Sequence, residues 1–495
     1  MMVTNSSCAT AEKHVMSDSA NFAEEDYRQT RIRHWDAVAR QMEKKKGFGG
    51  YYHFRLIQIY QFLVGQGQKV IEIGCGQGDL LAALKPKRGV GVDFSGEMIK
   101  RAIQRHPETQ FIQMDAHDLE FNETFDVIIL SDVLNDLWDV QKVFERIRGL
   151  AKPNTRIIIN SYSRLWEQPL AVVEWLGLGK PTLYQNWLTV DDIMNLLDLT
   201  DFETIRQWQE VLCPLNIPVV SKLTNHYLVK LWPFKALALT NFIVARLQAK
   251  CMEGHQTPLV SVVVPARNEA GNIKEICARI PEMGRGTEII FVEGHSTDDT
   301  VRVVRQAMDS SPERHCILLQ QNGIGKGDAV RSGFAHAKGE ILMILDADLT
   351  VPPENLRRFY EAIISGKGEF INGVRMVYPM EEEAMRFINL WGNKFFSITF
   401  SWLLGQPVKD TLCGTKVLWK RDYDLISSNR KVFGDFDPFG DFDLLFGAIK
   451  LNLKIVEMPI RYRSRTYGTT NISRWKHGWL LLRMVCFAAR RIKFV

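Results

Sequence analysis

The chain has 495 residues, too many for one ordinary hydrophobic core, so two or three domains are expected. Hydrophobic residues make up 46% of the chain and charged residues 24%, and a net charge of +5 without a lysine- or arginine-rich tract gives no reason to expect a nucleic-acid partner. The eight cysteines include no Cys-x-x-Cys pair, which argues against a zinc cluster or a disulfide framework and favours the reduced cytoplasm.

Residues 1–28 are polar and lack an apolar core, so we expect a disordered lead-in rather than a signal peptide or a spanning helix. No stretch has the roughly 20 consecutive apolar residues that cross a bilayer. The nearest are FINLWGNKFFSITFSWLLG and GWLLLRMVCFAA, and polar or basic residues interrupt both. They predict either core helices or helices in the membrane interface, with aromatic side chains toward lipid and basic ones toward anionic headgroups.

The first α/β pattern begins with KVIEIGCGQG at residues 69–78, which predicts an apolar strand, a glycine-rich turn and the start of a helix. Gly74, Gly76 and Gly78 allow the backbone to approach a ligand closely at the N-terminus of that helix. A second predicted strand ends on Asp93, whose carboxylate can accept hydrogen bonds from a ribose. The pattern indicates a nucleotide-like ligand at the sheet edge.

Two more strands follow, one before Asp115-Ala116 in FIQMDAHDL and one ending near Asp132 in FDVIILSDVLNDL. The series resembles a class I S-adenosylmethionine-dependent methyltransferase over residues 29–250. That resemblance implies a Rossmann-like α/β sheet, with S-adenosylmethionine as cofactor. The cofactor-binding residues that it implies, from the methionine end through the ribose to the adenine amino group, are Glu72, Gly74, Gly76, Gly78, Asp93, Asp115 and Ala116.

A nicotinamide dehydrogenase is the competing interpretation of the glycine turn. The spacing is Gly-x-Gly-x-Gly rather than Gly-x-Gly-x-x-Gly, and the later strands follow the methyltransferase pattern, so the methyltransferase is favoured. Methyl transfer depends on aligning the acceptor with the sulfonium, so no catalytic residue is predicted in this half. The side chains expected on the acceptor side are Asp132, Asn135, Tyr162 and Trp166.

After a predicted linker at residues 251–257 a second α/β pattern begins. Polar residues follow each of its predicted strands, and the fourth, ILMIL, ends on Asp346-Ala347-Asp348. Two carboxylates after a buried strand repel each other, so a cation is expected beside them. Mg²⁺ or Mn²⁺ at the carboxyl edge of a parallel sheet can bridge to a phosphate. A solvated helix cap is the alternative for this Asp-x-Asp pair.

Residues 258–495 resemble family 2 glycosyltransferases of the A-type fold, and most closely the dolichol- or polyprenyl-phosphate sugar synthases. By that resemblance Asp346 and Asp348 hold Mg²⁺ or Mn²⁺ against the diphosphate of a nucleotide sugar. Arg267 and Glu293-Gly294 depart from the family pattern, which leaves the donor nucleotide open. The nucleotide-sugar-binding residues that we predict are Pro265, Asn268, Glu269, Glu293, Lys326, Asp346 and Asp348.

A lipid phosphate is already ionised and needs cations rather than a base, whereas a hydroxyl acceptor needs a carboxylate base. The segment DTLCGTKVL and the segment from DLLFGAIK to RYRSRTYG resemble the lipid-phosphate branch. The cations predicted to hold the acceptor phosphate are Arg375, Arg386, Lys416 and Arg465. The candidate catalytic residues are Asp346, Asp348, Asp441 and Asp443, and Asp441 as a general base keeps the hydroxyl-acceptor hypothesis open.

The sequence thus predicts a bifunctional enzyme, peripheral on the cytoplasmic face of a membrane. A metal-dependent inverting glycosyltransferase would load a sugar onto a polyprenyl phosphate, and the fused methyltransferase would act in the same glycan, lipid or cell-envelope pathway. The alternative is transfer to a hydroxyl acceptor on a polysaccharide or glycolipid, with the N-terminal half as an S-adenosylmethionine-binding regulatory module.

Overall fold

A computed structural model describes residues 6–41, 50–176, 183–249, 257–375, 387–428, 440–461, 463, 465, 467 and 474–494. The chain divides into two compact units, Met1–Gln248 and Ala249–Val495. This division falls beside the boundary predicted at residue 250. The predicted linker lies outside the described residues except for Thr257.

The first unit contains one seven-stranded sheet in the order β3-β2-β1-β4-β5-β7-β6. Neighbouring strands are parallel except that β7 is antiparallel to both β5 and β6. This order is that of the class I methyltransferase fold. The strands are β1 (Lys69–Ile73), β2 (Arg88–Asp93), β3 (Gln110–Gln113), β4 (Phe125–Ser131), β5 (Ala151–Tyr162), β6 (Phe202–Glu210) and β7 (Thr240–Leu247).

Helices cover both faces of this sheet, because its central strands are apolar on both sides. In β4, Ile128 and Leu130 pack into one hydrophobic cluster, and Val127 and Ile129 pack into another on the opposite face. The helices are α1 (Ser6–Gln41), α2 (Gly50–Leu63), α3 (Asp79–Leu84), α4 (Gly96–Arg105), α5 (Val140–Arg148), α6 (Glu167–Trp175), α7 (Val190–Leu199) and α8 (Val220–His226).

The structure differs from the disordered lead-in predicted for residues 1–28. Helix α1 begins at Ser6, and Tyr27 packs edge-on against Trp138 with ring centroids 4.9 Å apart. Arg28 forms an ion pair with Asp115 at 3.0 Å. The polar composition of residues 1–28 hid this part of the helix, because ion pairs and an aromatic contact attach it here; apolar packing on Met98 begins only further along, at Val38 and Ala39.

The described residues of the second unit also form a seven-stranded sheet, in the order β10-β9-β8-β11-β13-β12-β14. Only β13 is antiparallel to its neighbours β11 and β12, so its first residue, Lys416, lies at the edge where the parallel strands end. The strands are β8 (Val260–Ala266), β9 (Thr287–Glu293), β10 (His315–Gln320), β11 (Ile341–Ile344), β12 (Phe370–Val374), β13 (Lys416–Trp419) and β14 (Ile455–Pro459).

Every residue of β11 is buried, as expected for the strand before the Asp-x-Asp pair. No helix within the described parts of the chain is long and apolar enough to cross a membrane. The helices of this unit are α9 (Ile273–Arg279), α10 (Thr300–Ser310), α11 (Lys326–His336), α12 (Leu356–Ile364), α13 (Phe387–Leu404), α14 (Lys420–Ser428), α15 (Asp441–Lys450) and α16 (Arg474–Ala488).

Candidate functional sites

The glycine turn after β1 has a backbone that only glycine adopts without strain. Gly74, Gly76 and Gly78 have φ angles of +74°, +51° and +77°. A Cβ on Gly74 would lie 2.6 Å from a methyl carbon of Val133, and one on Gly78 would lie 2.3 Å from the Phe111 ring. The turn therefore needs glycine for both its conformation and its packing.

Two buried carboxylates stand behind this turn. Glu72 accepts a hydrogen bond from the Leu81 amide at 3.1 Å, and Asp93 accepts from the Gly76 and Ser95 amides, each at 2.9 Å. Burial raises the pKa of Glu72 to about 8 and the pKa of Asp93 to about 6, although these amides oppose the shift. Such a site favours a ligand that brings hydrogen-bond donors or positive charge.

Asp115 stands at the other end of the same pocket. Its carboxylate accepts from the His117 amide at 2.9 Å and contacts His117 Nδ1 at 2.6 Å. Because the Asp139 amide donates to His117 Nε2 at 3.1 Å, Nδ1 carries the proton. Burial would raise the pKa of Asp115, but His117 and Arg28 outweigh it and lower that pKa.

An open pocket joins these features. Of the predicted cofactor residues, Gly74, Asp93, Asp115 and Ala116 line it. The other three, Glu72, Gly76 and Gly78, support the wall of the pocket through the contacts described above. The structure thus brings the predicted cofactor residues together, and it adds residues of α1 that were not predicted.

On the acceptor side, Asp132 has a φ angle of +53°, which is strained for a residue with a side chain. Its carboxylate accepts from Tyr52 Oη at 2.9 Å and from Asn160 Nδ2 at 2.6 Å. Tyr162 stacks on Tyr52 with a centroid distance of 5.9 Å. By contrast Asn135 donates to the Asn186 carbonyl, which ties it into a loop, whereas Tyr52 links Asp132 to Tyr162.

Trp166 also makes a structural contact, because its Nε1 donates to the Leu237 carbonyl at 3.0 Å.

In the second unit, polar residues tie the ends of β8 and β9 together. Asn268, with φ +56°, accepts from the Thr297 amide at 2.8 Å, and the buried Glu293 accepts from the Ser296 amide. Pro265 lies beside them in β8, and Glu269 follows Asn268, so the predicted nucleotide turn is assembled.

Three ion pairs lie at the edge where β11 and β12 end and β13 begins. Lys326 Nζ lies 2.5 Å from Asp346, Lys416 Nζ lies 3.1 Å from Asp441, and Arg375 contacts both oxygens of Asp410 at 2.7 and 2.8 Å. We call these six residues the charge cluster. It neutralises the buried carboxylates of Asp410 and Asp441 and the partly exposed carboxylate of Asp346.

Charges within the cluster set its pKa values. Burial would raise the pKa of Asp346, but Lys326, then Lys416 and Arg375, outweigh it and lower that pKa. Burial would lower the pKa of Lys326, but Asp346 and Asp441 outweigh it and raise that pKa. Asp410 likewise has a lowered pKa, because Arg375 and Lys416 overcome the effect of burial.

The cluster is tightly packed. A Cβ on Gly414 would lie 2.0 Å from Asp346 Oδ2 and 2.2 Å from Lys326 Nζ. The backbones of Gly327 and Gly440 also touch, since a Cβ on Gly440 would lie 2.6 Å from Gly327 Cα. These glycines bring the N-termini of α11 and α15 together, and with them Lys326 and Asp441.

Asp348 lies beside this cluster and is bridged to Glu269 by one arginine. Arg465 Nη2 lies 2.7 Å from Glu269 and 3.5 Å from Asp348. Asp348 also accepts from the Thr350 hydroxyl at 2.7 Å. The RYRSRTYG segment therefore reaches the Asp-x-Asp pair through Arg465.

Asp346 and Asp348 fit a hard divalent ion, because such an ion prefers oxygen ligands. In nucleotide sites it is held by one or two carboxylates together with the phosphates of the substrate. Among the described residues no group of three or more acidic, histidine or cysteine side chains is placed to hold a metal alone. In this structure Lys326 and Arg465 balance the two carboxylates. The donor set suits a metal that arrives with a diphosphate.

Several predicted residues stand elsewhere than expected. Lys416 is fully buried and paired with Asp441, and Arg375 is paired with Asp410, so neither presents its charge to an acceptor in this structure. Both were predicted to hold the acceptor phosphate, and that role stays a prediction. Asp443 lies half-buried on α15, and its catalytic role stays a prediction.

Arg386 lies outside the described residues. Asp410, which was not predicted, is the main residue that sequence reasoning missed in this unit. The available signal was its position as the first residue of DTLCGTKVL, the segment already matched to the lipid-phosphate branch.

Comparison with known proteins agrees with both units. A profile described as "Methyltransferase domain" matches residues 65–211, and one described as "Glycosyl transferase family 2" matches residues 261–424. The chain therefore joins a methyltransferase domain to a family 2 glycosyltransferase domain.

Relatives of the second domain include the undecaprenyl-phosphate 4-deoxy-4-formamido-L-arabinose transferase of Edwardsiella ictaluri, 35% identical over 111 residues, or 22% of this chain and 34% of that protein. The dolichol-phosphate mannosyltransferase of Saccharomyces cerevisiae is 39% identical over 108 residues, or 21% of this chain and 40% of that protein. The chain thus spans only about a third to two fifths of these relatives.

Among solved structures, a methyltransferase of Haloferax volcanii in complex with the Trm112 activator has a TM-score of 0.34 and 20% identity, covering 43% of this chain and 97% of that one. Glucosyl-3-phosphoglycerate synthase of Mycobacterium tuberculosis, with Mn²⁺, uridine diphosphate and its product, has a TM-score of 0.35 and 19% identity, covering 48% of this chain and 80% of that one.

Replacing Glu72 by glutamine should make the first domain less sensitive to pH. Glu72 has a pKa of about 8 in the folded chain, and a free glutamate titrates at about 4.3. The wild type therefore loses stability as pH rises from the unfolded through the folded pKa, and Glu72→Gln does not. We expect the melting temperature of Glu72→Gln minus that of the wild type to be several degrees larger at pH 8 than at pH 5. The control is Glu145→Gln, an exposed acid on α5; a Glu72→Gln difference that is constant with pH would contradict the prediction.

Gly414→Ala should disable sugar transfer while the domain stays folded. The added methyl group displaces the flexible ends of Asp346 and Lys326, and a shift of about 1 Å in a reacting group can lower a rate about a hundredfold. Transfer rate and thermal melting would be measured together. Gly149→Ala, where a Cβ meets only the Arg146 carbonyl at 3.5 Å, is the control. Full activity in Gly414→Ala would refute the packing argument.

Proposed function

We propose that the second domain moves a sugar, with inversion, from a nucleoside-diphosphate donor to a polyprenyl phosphate. The observation that carries this choice is the state of Asp441. Its carboxylate is buried and paired with Lys416 at 3.1 Å, so it is poorly placed to remove a proton from a hydroxyl acceptor. A phosphate needs no base, and the printed activities of the relatives concern undecaprenyl and dolichol phosphates.

The residues of the chain divide the work of the transfer between binding and charge balance. Asn268, Glu269 and Glu293 would hold the nucleoside. Asp346 and Asp348 would hold Mg²⁺ or Mn²⁺, which neutralises charge on the departing nucleoside diphosphate. The acceptor phosphate oxygen attacks the anomeric carbon as the bond to the diphosphate breaks.

Arg465 is the best-placed cation for the acceptor. Its side chain is 22% exposed, and it already spans Glu269 and Asp348. Its contact with Asp348, at 3.5 Å, is longer than a good charged hydrogen bond and weaker than its contact with Glu269, so it is the contact that a ligand can most easily replace. When a metal takes over Asp348, the guanidinium can turn toward the acceptor phosphate and bind it through two hydrogen bonds.

For the first domain we propose binding of S-adenosylmethionine and methyl transfer to an acceptor beside Asp132 and Tyr162. The features that support this proposal are a left-handed glycine turn, buried acids suited to ribose hydroxyls and an ammonium, and an open pocket between them. The simplest reason for the fusion is that both domains modify the same glycan or lipid.

We also propose that the second domain binds a membrane surface peripherally. Helices α13 and α16 pack together and leave large apolar side chains exposed beside basic ones. This arrangement suits an interface of acyl chains and anionic headgroups. The exposed side chains of this surface are Lys394, Phe395, Ile398, Trp402, Trp479, Leu482 and Arg483.

The transfer can be tested with purified full chain, polyprenyl phosphate, Mg²⁺ or Mn²⁺, and a panel of labelled uridine- and guanosine-diphosphate sugars. We expect label in the organic extract only with metal, and a loss of about a hundredfold or more in Asp348→Ala. Asp299→Ala, at an exposed acid paired with Arg302, is the matched control. If label instead reaches a hydroxyl acceptor and Asp441→Asn abolishes it with nucleotide binding intact, the lipid-phosphate proposal is wrong.

Membrane binding can be tested by flotation with liposomes that contain anionic lipid. The double variant Phe395→Ser/Trp479→Ser removes apolar contact area, so we expect its bound fraction to fall several-fold. High salt should weaken wild-type binding, because the basic side chains contribute electrostatically. Trp175→Ser removes an equally exposed tryptophan from the first domain and should change nothing. Wild-type protein that fails to float at low salt would contradict the proposal.

A further inference from the structure

The segment that joins β6 to β7 in the first domain is much longer than the geometry of these strands requires. The two strands are antiparallel neighbours, and Glu210 at the end of β6 pairs with Thr240 at the start of β7. A turn of a few residues can join such strand ends. We call residues 211–239 the β6–β7 connection, and all of them belong to the described part of the chain.

The β6–β7 connection presents apolar side chains to water. Residues 215–220 and 231–237 are exposed at every position, and Trp232 is 80% exposed. Helix α8 and the two short helical turns that follow it pack against one another, so these residues belong to one folded unit. A soluble domain seldom exposes a large apolar surface unless that surface binds a partner. The exposed apolar side chains include Leu215, Ile217, Val219, Leu231, Trp232 and Phe234.

Helix α8, which lies within the connection, is inverted relative to an ordinary surface helix. Its buried side chains, Ser221 and Asn225, are polar, whereas the apolar side chains of Val220 and Leu223 are exposed. Tyr227, directly after the helix, is exposed as well. A helix on a water-facing surface normally buries its apolar side. The apolar side of α8 is therefore available to a partner.

Hydrogen bonds from the two buried polar side chains hold this inverted arrangement in place. Asn225 Oδ1 accepts from the Leu212 and Cys213 amides at 2.7 and 2.8 Å, and Asn225 Nδ2 donates to the Cys213 carbonyl at 2.7 Å. Ser221 Oγ accepts from the Ile217 amide at 2.8 Å. Because these polar groups are satisfied inside the connection, the apolar side chains project outward from an internally bonded unit.

The charges of the connection indicate what kind of partner it binds. Its sequence contains no aspartate or glutamate, and Lys222 and Lys235 are exposed among the apolar side chains. Its third lysine, Lys230, is buried and paired with Glu210. Exposed aromatic and aliphatic side chains beside lysines complement the acyl chains and anionic headgroups of a bilayer. A second copy of the chain would instead bring lysines against lysines.

The connection also starts and ends beside the acceptor-side residues of the first domain. Thr240, which directly follows it, pairs with Tyr162 at the end of β5, and the Thr240 hydroxyl lies 3.3 Å from Tyr52 Oη. Tyr52 in turn donates to Asp132. A partner that binds the connection is therefore held near the carboxyl edge of the first sheet.

We propose that the β6–β7 connection docks the first domain on an anionic bilayer. Trp232 and its apolar neighbours enter the acyl region, and Lys222 and Lys235 contact the headgroups. The first domain then has a membrane-binding surface of its own, distinct from the one proposed for α13 and α16. This inference goes beyond the proposed methyl transfer and does not depend on it.

The experiment is hydrogen–deuterium exchange on the full chain at low salt, with and without vesicles of phosphatidylcholine and phosphatidylglycerol. We expect peptides from residues 212–237 to exchange several-fold more slowly when the vesicles are bound, because docking excludes water from their amides. Peptides from α7 should be unchanged. Bound vesicles with no slowing in residues 212–237 would overturn the proposal.

Matched variants test the same surface by flotation. Trp232→Ser should weaken partitioning into these vesicles by about tenfold, because a large apolar side chain no longer leaves water. Trp175→Ser, at a tryptophan that is 83% exposed on α6 and follows Glu174, is the control and should have no effect. Leu223→Ser should weaken partitioning several-fold, and its control is Leu199→Ser at an exposed leucine on α7.

Each variant is also measured in the Phe395→Ser/Trp479→Ser background, so that the surface proposed for the second domain does not mask the effect. Lys222→Glu/Lys235→Glu should weaken binding to these vesicles and leave any binding to phosphatidylcholine alone unchanged.

Partitioning that stays at the wild-type value in both Trp232→Ser and Leu223→Ser would refute the docking surface. A wild-type dimer in sedimentation that Trp232→Ser dissociates would refute it too, because the connection would then bind a second copy. Failure of methyl transfer would overturn the proposed function of the first domain without changing these results.

Discussion

The removal of carboxylates from water at the carboxyl edge of a parallel sheet governs both sites of this chain. In the second domain the fold supplies a cation for each buried acid of the charge cluster, and the pKa values of Asp346 and Asp410 fall. In the first domain Glu72 and Asp93 receive mainly backbone amides, and their pKa values rise. The same physical constraint thus has two outcomes. At the second edge the protein's own cations neutralise the acids, and the first edge favours a ligand that supplies charge and hydrogen-bond donors.

This contrast bears on what each domain can bind. At an edge where cations already pair with the acids, a metal can bind together with its own anions, because the net charge of the edge then changes little. An edge with acids of raised pKa favours a molecule that is itself cationic and rich in hydroxyl groups. A diphosphate donor and a sulfonium cofactor meet these two requirements.

The sequence predicted the parts of both sites that follow directly from strand ends. The glycine turn, Asp93, Asp115 and the Asp-x-Asp pair each stand next to an apolar run, and a parallel sheet brings such ends to one edge. The contribution of α1 could not be predicted, because it depends on ion pairs and an aromatic contact between residues far apart in sequence. The pairing of Lys416 with Asp441 and of Arg375 with Asp410 was hidden for a related reason. A cation in a motif looks the same whether a substrate or a buried acid neutralises it, and only the antiparallel direction of β13 brings Lys416 to this edge.

The contact between Gly327 and Gly440 carries a further consequence for how such an enzyme can change. It joins the first turn of the helix that presents Lys326 to the first turn of the helix that presents Asp441, with no side chain between them. A substitution that shifts one of these turns must shift the other. The ion pair of Lys326 with Asp346 and that of Lys416 with Asp441 would then tend to change together, so a variant altered at one pair should be examined at the other as well.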